Sequence, residues 1–439
     1  MMTIKKIGLL VILLAVIGTG CDSIFGSKND STTEEIFEEG KIDPQLENLD
    51  GYAPLTPFWG EFDAPNDIHV GFDTFIYVTD NDGVHLLDRA DLSPRRSVND
   101  ILRARDRNPI LGANAVTQDR LLNVYVSARI DTIIDKNGTP TSFNLPAVFK
   151  IKNLNGAGDL EFVDTLIFPF DDASLSTSAA QNARLNKSSS NNYENVEITG
   201  ITVLADNSIY VSRRGPQNST NQVAAPDNTV LEFGRIVSNG VSSNKMINTR
   251  QLGSLNPTNP SLKSAVRLSS IASFVTPPQR DRLTDDRSFL ITQASQSQSI
   301  DFRVLWINAV VTTDGLVFQQ NSSLLAQDTS QANGFLYEPG KFQLPADVAF
   351  SGDDDAYIFV IDSEKDSLFQ FQSNGQEGVN PPAGADADSK KIIVSFGGEG
   401  SGPKQFRNPS GVAYYRTVLY VADTGNNRIA RFKLTTDFE

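Results

Sequence analysis

The sequence predicts an all-β protein assembled from six copies of one strand-and-turn unit. Three observations carry this expectation. The last forty-odd residues hold short apolar runs around Val412, Leu419–Ala422 and Ile429, separated by clusters of Gly, Pro, Asn and Asp. Each run suits a strand and each cluster suits a turn. The same grammar recurs upstream at five places. The composition, with 39% hydrophobic and 21% charged residues over 439 positions, is that of a globular chain able to bury a sizeable core.

The copies follow in order. The first is Phe58–Ile68, with strands Ile76–Asp80 and Gly83–Leu87. The second runs through Gly112–Val116, Val124–Ser127 and Ala147–Ile151. The third holds Ile198–Val203, Ile209–Ser212 and Val230–Phe233. The fourth is degenerate, with Ser270–Phe274, Phe289–Thr292 and Val304–Ile307. The fifth is clear again in Tyr337–Ala349, Ile358–Asp362 and Ser367–Phe371. The sixth is the C-terminal stretch from Phe396 to Ile429.

The C-terminal unit, with Phe396-Gly397-Gly398-Glu399-Gly400, Asn408-Pro409-Ser410-Gly411 and Asp423-Thr424-Gly425-Asn426-Asn427-Arg428, closely resembles an NHL repeat. That resemblance implies a six-bladed β-propeller over residues 51–439, built of four-stranded antiparallel blades. The anchors from Tyr77 to Tyr420 lie roughly 69 residues apart, against about 40 to 45 for an ordinary blade, so the surplus is insertion. The chain ends on what reads as the third strand of a blade, Arg428–Leu434. Residues Tyr52–Trp59 are expected beside it as the missing fourth strand, closing the ring and removing an exposed edge.

In such a blade, the loop into the first strand and the loop between the second and third strands emerge on one face. Residues 130–146, 171–195, 213–229, 252–269 and 293–302 all fall there, on blades two to four. They are rich in Ser, Asn, Gln, Thr and Pro. Arg129, Tyr193, Arg213 and Arg214 are the candidate binding residues of that face, since long loops on a rigid scaffold often carry recognition. At the start of successive first strands stand Asp67, Asn114, Gly200, Ser270, Asp347 and Gly411. Asp67, Asn114, Ser270 and Asp347 are therefore candidate channel-lining residues. Asp67 and Asp347 are the positions for a hard cation such as calcium, if any is held. The alternative is carboxylates bonded to backbone amides.

Asp80, Asp362 and Asp423 each end a second strand. Their repetition points to turn capping rather than catalysis. His69 is a possible general base near the channel, or a strand-flank residue. His85 falls in a third strand. No nucleophile elbow, phosphate loop or metalloprotease helix is present.

The N-terminus reads as an address. Lys5 and Lys6 precede an apolar run, Ile7–Ile17, too short to span a bilayer comfortably. Gly18-Thr19-Gly20-Cys21 follows, and the whole resembles a bacterial lipoprotein signal peptide (1–20), although Gly18 replaces the usual larger aliphatic residue. The resemblance implies acylation of Cys21 and a place in the bacterial cell envelope, as an outer-membrane or cell-surface lipoprotein. Residues 21–50 are acidic and polar, a flexible tether reaching roughly 30 Å.

Composition excludes several functions. The formal net charge of −15 repels phosphate backbones, so nucleic acid is not the partner. Cys21 is the single cysteine, which rules out an internal disulfide and a cysteine-based zinc site. Two histidines cannot make a three-histidine metal site. Propellers resembling this one include amidating lyases with metal-binding histidines, which this chain lacks. They also include lactonases with acidic and amide ligands around calcium, which Asp67, Asn114 and Asp347 could mimic. The expectation is a lipid-anchored binding or scaffolding module without a cofactor, presenting loops of blades two to four to a protein or glycan. The alternatives are a calcium-dependent propeller hydrolase or lyase acting in the channel, and a purely structural envelope component.

Overall fold

The computed structural model describes residues 51–87, 94–97, 112–136, 138–152, 161–167, 184–216, 227–238, 241–252, 265–277, 286–297, 300–382, 384–386 and 388–437. Residues 1–50, with the signal segment, Cys21 and the tether, lie outside the described residues.

The described chain is all-β. Its strands form six four-stranded antiparallel sheets. Sheet 1 contains β2 (Asp67–Val70), β3 (Ile76–Asp80), β4 (Gly83–Leu87) and β5 (Pro94–Ser97). Sheet 2 contains β6 (Ala115–Gln118), β7 (Asn123–Lys136), β8 (Thr139–Lys152) and β9 (Glu161–Ile167). Sheet 3 contains β10 (Glu197–Val203), β11 (Ile209–Arg214), β12 (Thr229–Ser238) and β13 (Val241–Leu252). Sheet 4 contains β14 (Leu268–Ser273), β15 (Phe289–Gln293), β16 (Val304–Thr312) and β17 (Gly315–Gln320). Sheet 5 contains β18 (Pro345–Phe350), β19 (Ile358–Asp362), β20 (Ser367–Phe371) and β21 (Phe396–Gly397). Sheet 6 contains β22 (Gly411–Tyr415), β23 (Val418–Asp423), β24 (Arg428–Leu434) and, from the other end of the sequence, β1 (Tyr52–Pro54). Tyr52, Ala53 and Pro54 face Leu434, Lys433 and Phe432, and Trp59 bridges Ile429.

The first strands touch in sequence: β2 meets β6, β6 meets β10, β10 meets β14, β14 meets β18, β18 meets β22, and β22 returns to β2. In β2 the residues alternate between buried positions and positions more open to the axis, in the pattern of Asp67-Ile68-His69-Val70, whereas β6 and β22 are buried throughout. The second strands are buried through their central residues, Ile76–Asp80 and Ile358–Asp362 along their whole length, and the outer half of β7 emerges. They are covered on both faces by neighbouring sheets, which is why they read as continuous apolar runs rather than alternating ones. The repeat anchors Tyr77, Tyr125, Tyr210, Phe359 and Tyr420 sit in these strands and are fully enclosed. Burial requires a partner for each tyrosine hydroxyl. Tyr77 donates to Asp73 at 2.7 Å and Tyr125 to Asp119 at 3.0 Å, both in the turn below the strand.

Two expectations change. Residues 130–146 are not a loose insertion. β7 and β8 pair continuously from Asn123–Lys152 to Lys136–Thr139, so the surplus extends the hairpin itself. The register of sheet 2 also differs by one residue from the expected alignment. Asp67, Gly200, Ser270 and Gly411 pair with Thr79, Ser212, Thr292 and Ala422, whereas Ala115, not Asn114, pairs with Ser127. Asn114 stands one step nearer the channel mouth, level with Asn66. The two amides donate alike, Asn114 to the Ser127 carbonyl at 2.9 Å and Asn66 to that of Thr79 at 2.7 Å. Among the described residues no helix is long and apolar enough to cross a membrane.

Candidate functional site

A cavity of about 1000 Å³ runs where the six first strands meet. Its wall includes Asp67 and His69 of β2, Asn114 before β6, Gly200 of β10, Ser270 of β14 and Asp347 of β18. Side chains two apart on a strand share a face, so each first strand delivers every second residue to this axis. The mouth is formed where the first strands begin and adds Arg129, Glu197, Arg214 and Arg267.

The polar residues of the wall tie neighbouring sheets together. One Asp67 oxygen accepts from the amide of Ile68 at 2.8 Å, and the other accepts from the amide of Val116 in sheet 2, also at 2.8 Å. Asp347 repeats this from sheet 5, with sheet 6 between it and Asp67. One of its oxygens accepts from the amide of Val412 in sheet 6 at 2.7 Å, and the other takes the hydroxyl of Ser270 from sheet 4. Thr202 donates to Ser273 across sheets 3 and 4 at 3.0 Å, and Ser410 donates to the Asn66 carbonyl across sheets 6 and 1 at 2.6 Å. These bonds satisfy groups that the axis would otherwise leave unpaired.

Burial pushes both channel carboxyls above the ordinary carboxylate range, and the charge of Asp347 pushes Asp67 further. The site solvates neither charge well, and the repulsion from Asp347 adds to this at Asp67, so both carboxyls hold their protons to higher pH than ordinary carboxyls do. His69 is driven the other way. Burial lowers it to about 4, so the imidazole is neutral, and its Nε2 is enclosed without a hydrogen-bond partner. His69 therefore lines the channel rather than a strand flank.

Asp67 and Asp347 make a poor calcium cage. All four of their oxygens already accept hydrogen bonds, and no group of three His, Cys, Asp or Glu side chains suited to a metal occurs among the described residues. Calcium takes six to eight oxygens. Three of the four bonds come from backbone amides and the fourth from the Ser270 hydroxyl.

The candidates of the loop face divide. Tyr193 and Arg213 are each 0% exposed and present nothing to a partner. Tyr193 lies in a short 3-10 turn, Tyr193–Asn195, packed with Phe143, Leu145 and Leu185. Arg184 stacks on its ring at 4.3 Å and forms a two-pronged pair with Asp227 at 2.7 and 2.9 Å. Arg213 donates to the Asp227 carbonyl at 3.2 Å. An insertion needs its own small core to hold a shape, and these residues supply it. Arg129 and Arg214 do reach the mouth. Arg129 spends its guanidinium on Asn144, Val196 and Glu194 carbonyl oxygens and on the Asn144 side chain, which fastens the 184–196 segment to the extended hairpin. Arg214 pairs with Glu197 at 2.6 Å.

Asp80, Asp362 and Asp423 cap turns, as their repetition indicated. Asp362 is wholly enclosed and accepts from the amides of Gln343, Leu344, Glu364 and Lys365. Asp80 accepts from the amides of Asp63, Asp82 and Gly83 and contacts His85 Nε2 at 2.7 Å. Asp423 accepts from the Arg407 amide and from Asn426 and Arg428, which explains the Asn426-Asn427-Arg428 motif.

Arg267 was not singled out from the sequence, because it falls inside the apparent insertion 252–269. It is exposed at the mouth, and its backbone is held at φ +48°. No pattern in the sequence marks that conformation.

No protein-family profile matches the chain, and no curated protein sequence does. Solved structures are similar in fold. A streptogramin B lyase is 10% identical over 88% of this chain and 98% of its own, with a TM-score of 0.39. An auxiliary nutrient binding protein from Bacteroides ovatus is 14% identical over 88% of this chain and 77% of its own, with a TM-score of 0.42. A gluconolactonase from Xanthomonas campestris is 9% identical over 90% of this chain and 94% of its own, with a TM-score of 0.40. These neighbours are β-propeller proteins.

Proposed function

We propose that the chain is a six-bladed β-propeller lipoprotein of the bacterial cell envelope that binds a glycan in the mouth of its central channel. In this reading β1 completes the last blade and closes the ring. Acylated Cys21 holds the domain at the membrane through the tether, since two or more acyl chains anchor durably. The observation that carries the proposal is the cavity of about 1000 Å³, with Asn114, Ser270, Asp347 and His69 on its wall. That volume lies at the upper end of the range for small-molecule sites. Amides, hydroxyls and carboxyls at fixed positions answer sugar hydroxyls, which both donate and accept. Recognition then falls to the channel mouth rather than to flexible loops.

Titration calorimetry of the full chain in detergent micelles against a panel of neutral and acidic oligosaccharides tests this. At least one is expected to bind, and Asn114→Leu is expected to weaken it about tenfold through loss of its hydrogen bonds. Asn114 is exposed in the mouth and its side chain holds no other element in place, so this change spares the fold. Absence of binding across the panel overturns the proposal.

A further inference from the structure

Three arginines converge on one mouth of the channel in a chain whose formal net charge is −15. They come from adjacent sheets: Arg129 from β7, Arg214 from the end of β11, and Arg267 from the entry to β14. The acidic side chain lining the mouth beside them is Glu197, and it is engaged by Arg214 at 2.6 Å. The acceptors of Arg129 are carbonyls and one side-chain amide, so its charge is not cancelled by a direct ion pair among the described residues. The mouth is thus a local cationic exception on an acidic molecule.

Arg267 differs from the other two in being uncommitted. Its Nε makes one long contact with the Ala294 carbonyl at 3.3 Å, and no carboxylate pairs with it among the described residues. Its main chain, in contrast, is fixed. The amide donates to Asn228 Oδ1 at 2.7 Å, and the carbonyl accepts from the Ala294 amide at 3.0 Å. These bonds hold a non-glycine residue at φ +48°, a conformation that costs energy and persists only where surroundings impose it. The result is a rigidly mounted residue with an open guanidinium edge over the cavity. A guanidinium offers two parallel donors that match a carboxylate.

We infer that the mouth recognises a carboxylate on the bound sugar, with Arg267 forming the two-pronged contact and Arg129 as a second cation beside it, while the Arg214–Glu197 pair leaves no net charge. The ligand class is an acidic, uronate-type oligosaccharide. This inference rests on the glycan reading of the channel.

The test uses trigalacturonate and its fully methyl-esterified, uncharged counterpart, titrated into the full chain in detergent micelles. The free acid is expected to bind about tenfold more tightly than the ester, the worth of a charge-assisted contact. Arg267→Gln is expected to erase that preference, bringing acid binding down to the level of the ester, without changing thermal stability. Arg267→Lys is expected to retain part of it, and added salt to weaken the acid alone. Equal binding of acid and ester, or a preference that survives Arg267→Gln, overturns the inference. Binding of a neutral glycan without binding of trigalacturonate overturns the inference and leaves the channel reading standing. Failure of every glycan to bind overturns both.

Discussion

Replacing Asp362 with alanine tests the claim that the repeated aspartates are structural clamps. Asp362 ends β19 with no exposed surface, and its two oxygens collect four backbone amides. The Gln343 contact is the shortest at 2.6 Å, and the other three are 3.1 Å. Alanine leaves four donors without their acceptor. A hydrogen bond to a charged group contributes about 1.5–3 kcal/mol, and an orphaned buried donor costs about 1–3 kcal/mol. Glu364 and Lys365 lie in an open turn where water takes over their amides, which leaves the Gln343 and Leu344 contacts to dominate. The expected loss for Asp362→Ala is about 3–4 kcal/mol. Asparagine keeps one acceptor oxygen but turns an N–H₂ toward Gln343, so Asp362→Asn is expected to lose about half as much. Urea unfolding of the full chain in detergent, followed by tryptophan fluorescence, measures both, with the exposed Glu364→Ala as control. A loss below about 1 kcal/mol for the alanine variant would refute the clamp, because four enclosed amides cannot lose a carboxylate so cheaply.

The remaining predictions concern the channel and the insertion core. Asp67 and Asp347 have carboxyls raised in the folded state, so their contribution to stability is full below the unfolded carboxylate pKa and is lost as pH rises through the folded values. Thermal melts are expected to fall as pH is raised above the ordinary carboxylate range, and Asp67→Asn is expected to flatten that slope; an unchanged slope contradicts the raised carboxyls. His69 is expected to remain neutral down to about pH 4, so the imidazole resonance assigned with a His85→Gln variant should not titrate between pH 8 and about 5; a midpoint near the ordinary 6.5 contradicts its burial. Asp227→Ala strands Arg184, whose side chain is 7% exposed, and is expected to cost about 3–5 kcal/mol in the same urea assay. A near-neutral outcome would show that the 184–196 segment contributes nothing to the fold.

Much of the architecture was legible in the chain because a small antiparallel sheet of consecutive strands uses local signals. The runs Ile76-Tyr77-Val78 and Leu419-Tyr420-Val421 read as strands, since a strand buried on both faces has no polar side to break the pattern. Asp80, Asp362 and Asp423 read as turn caps because each closes the turn that follows its strand, although each also holds an amide 16 to 19 residues upstream that the local pattern does not show. The pairing of Tyr52–Pro54 with Phe432–Leu434 was expected from arithmetic alone, three strands at one end of the chain and a spare one at the other.

The sequence by itself determined strand identity, turn chemistry and the positions of Asp67 and Asp347 on the channel face, because these follow from a two-residue period and short-range hydrogen bonds. Only the tertiary structure decided which polar residues meet. Tyr193 and Arg213 are indistinguishable from surface loop residues until the insertions fold against sheets 2 and 3 and enclose them. Asn114 and Ala115 exchange levels through a one-residue register choice that the pattern around them does not fix. Arg267 is placed at the mouth by contacts to Asn228 and Ala294, 39 residues before it and 27 after it in sequence. Convergence on an axis depends on how sheets pack, and no local stretch of the chain encodes it.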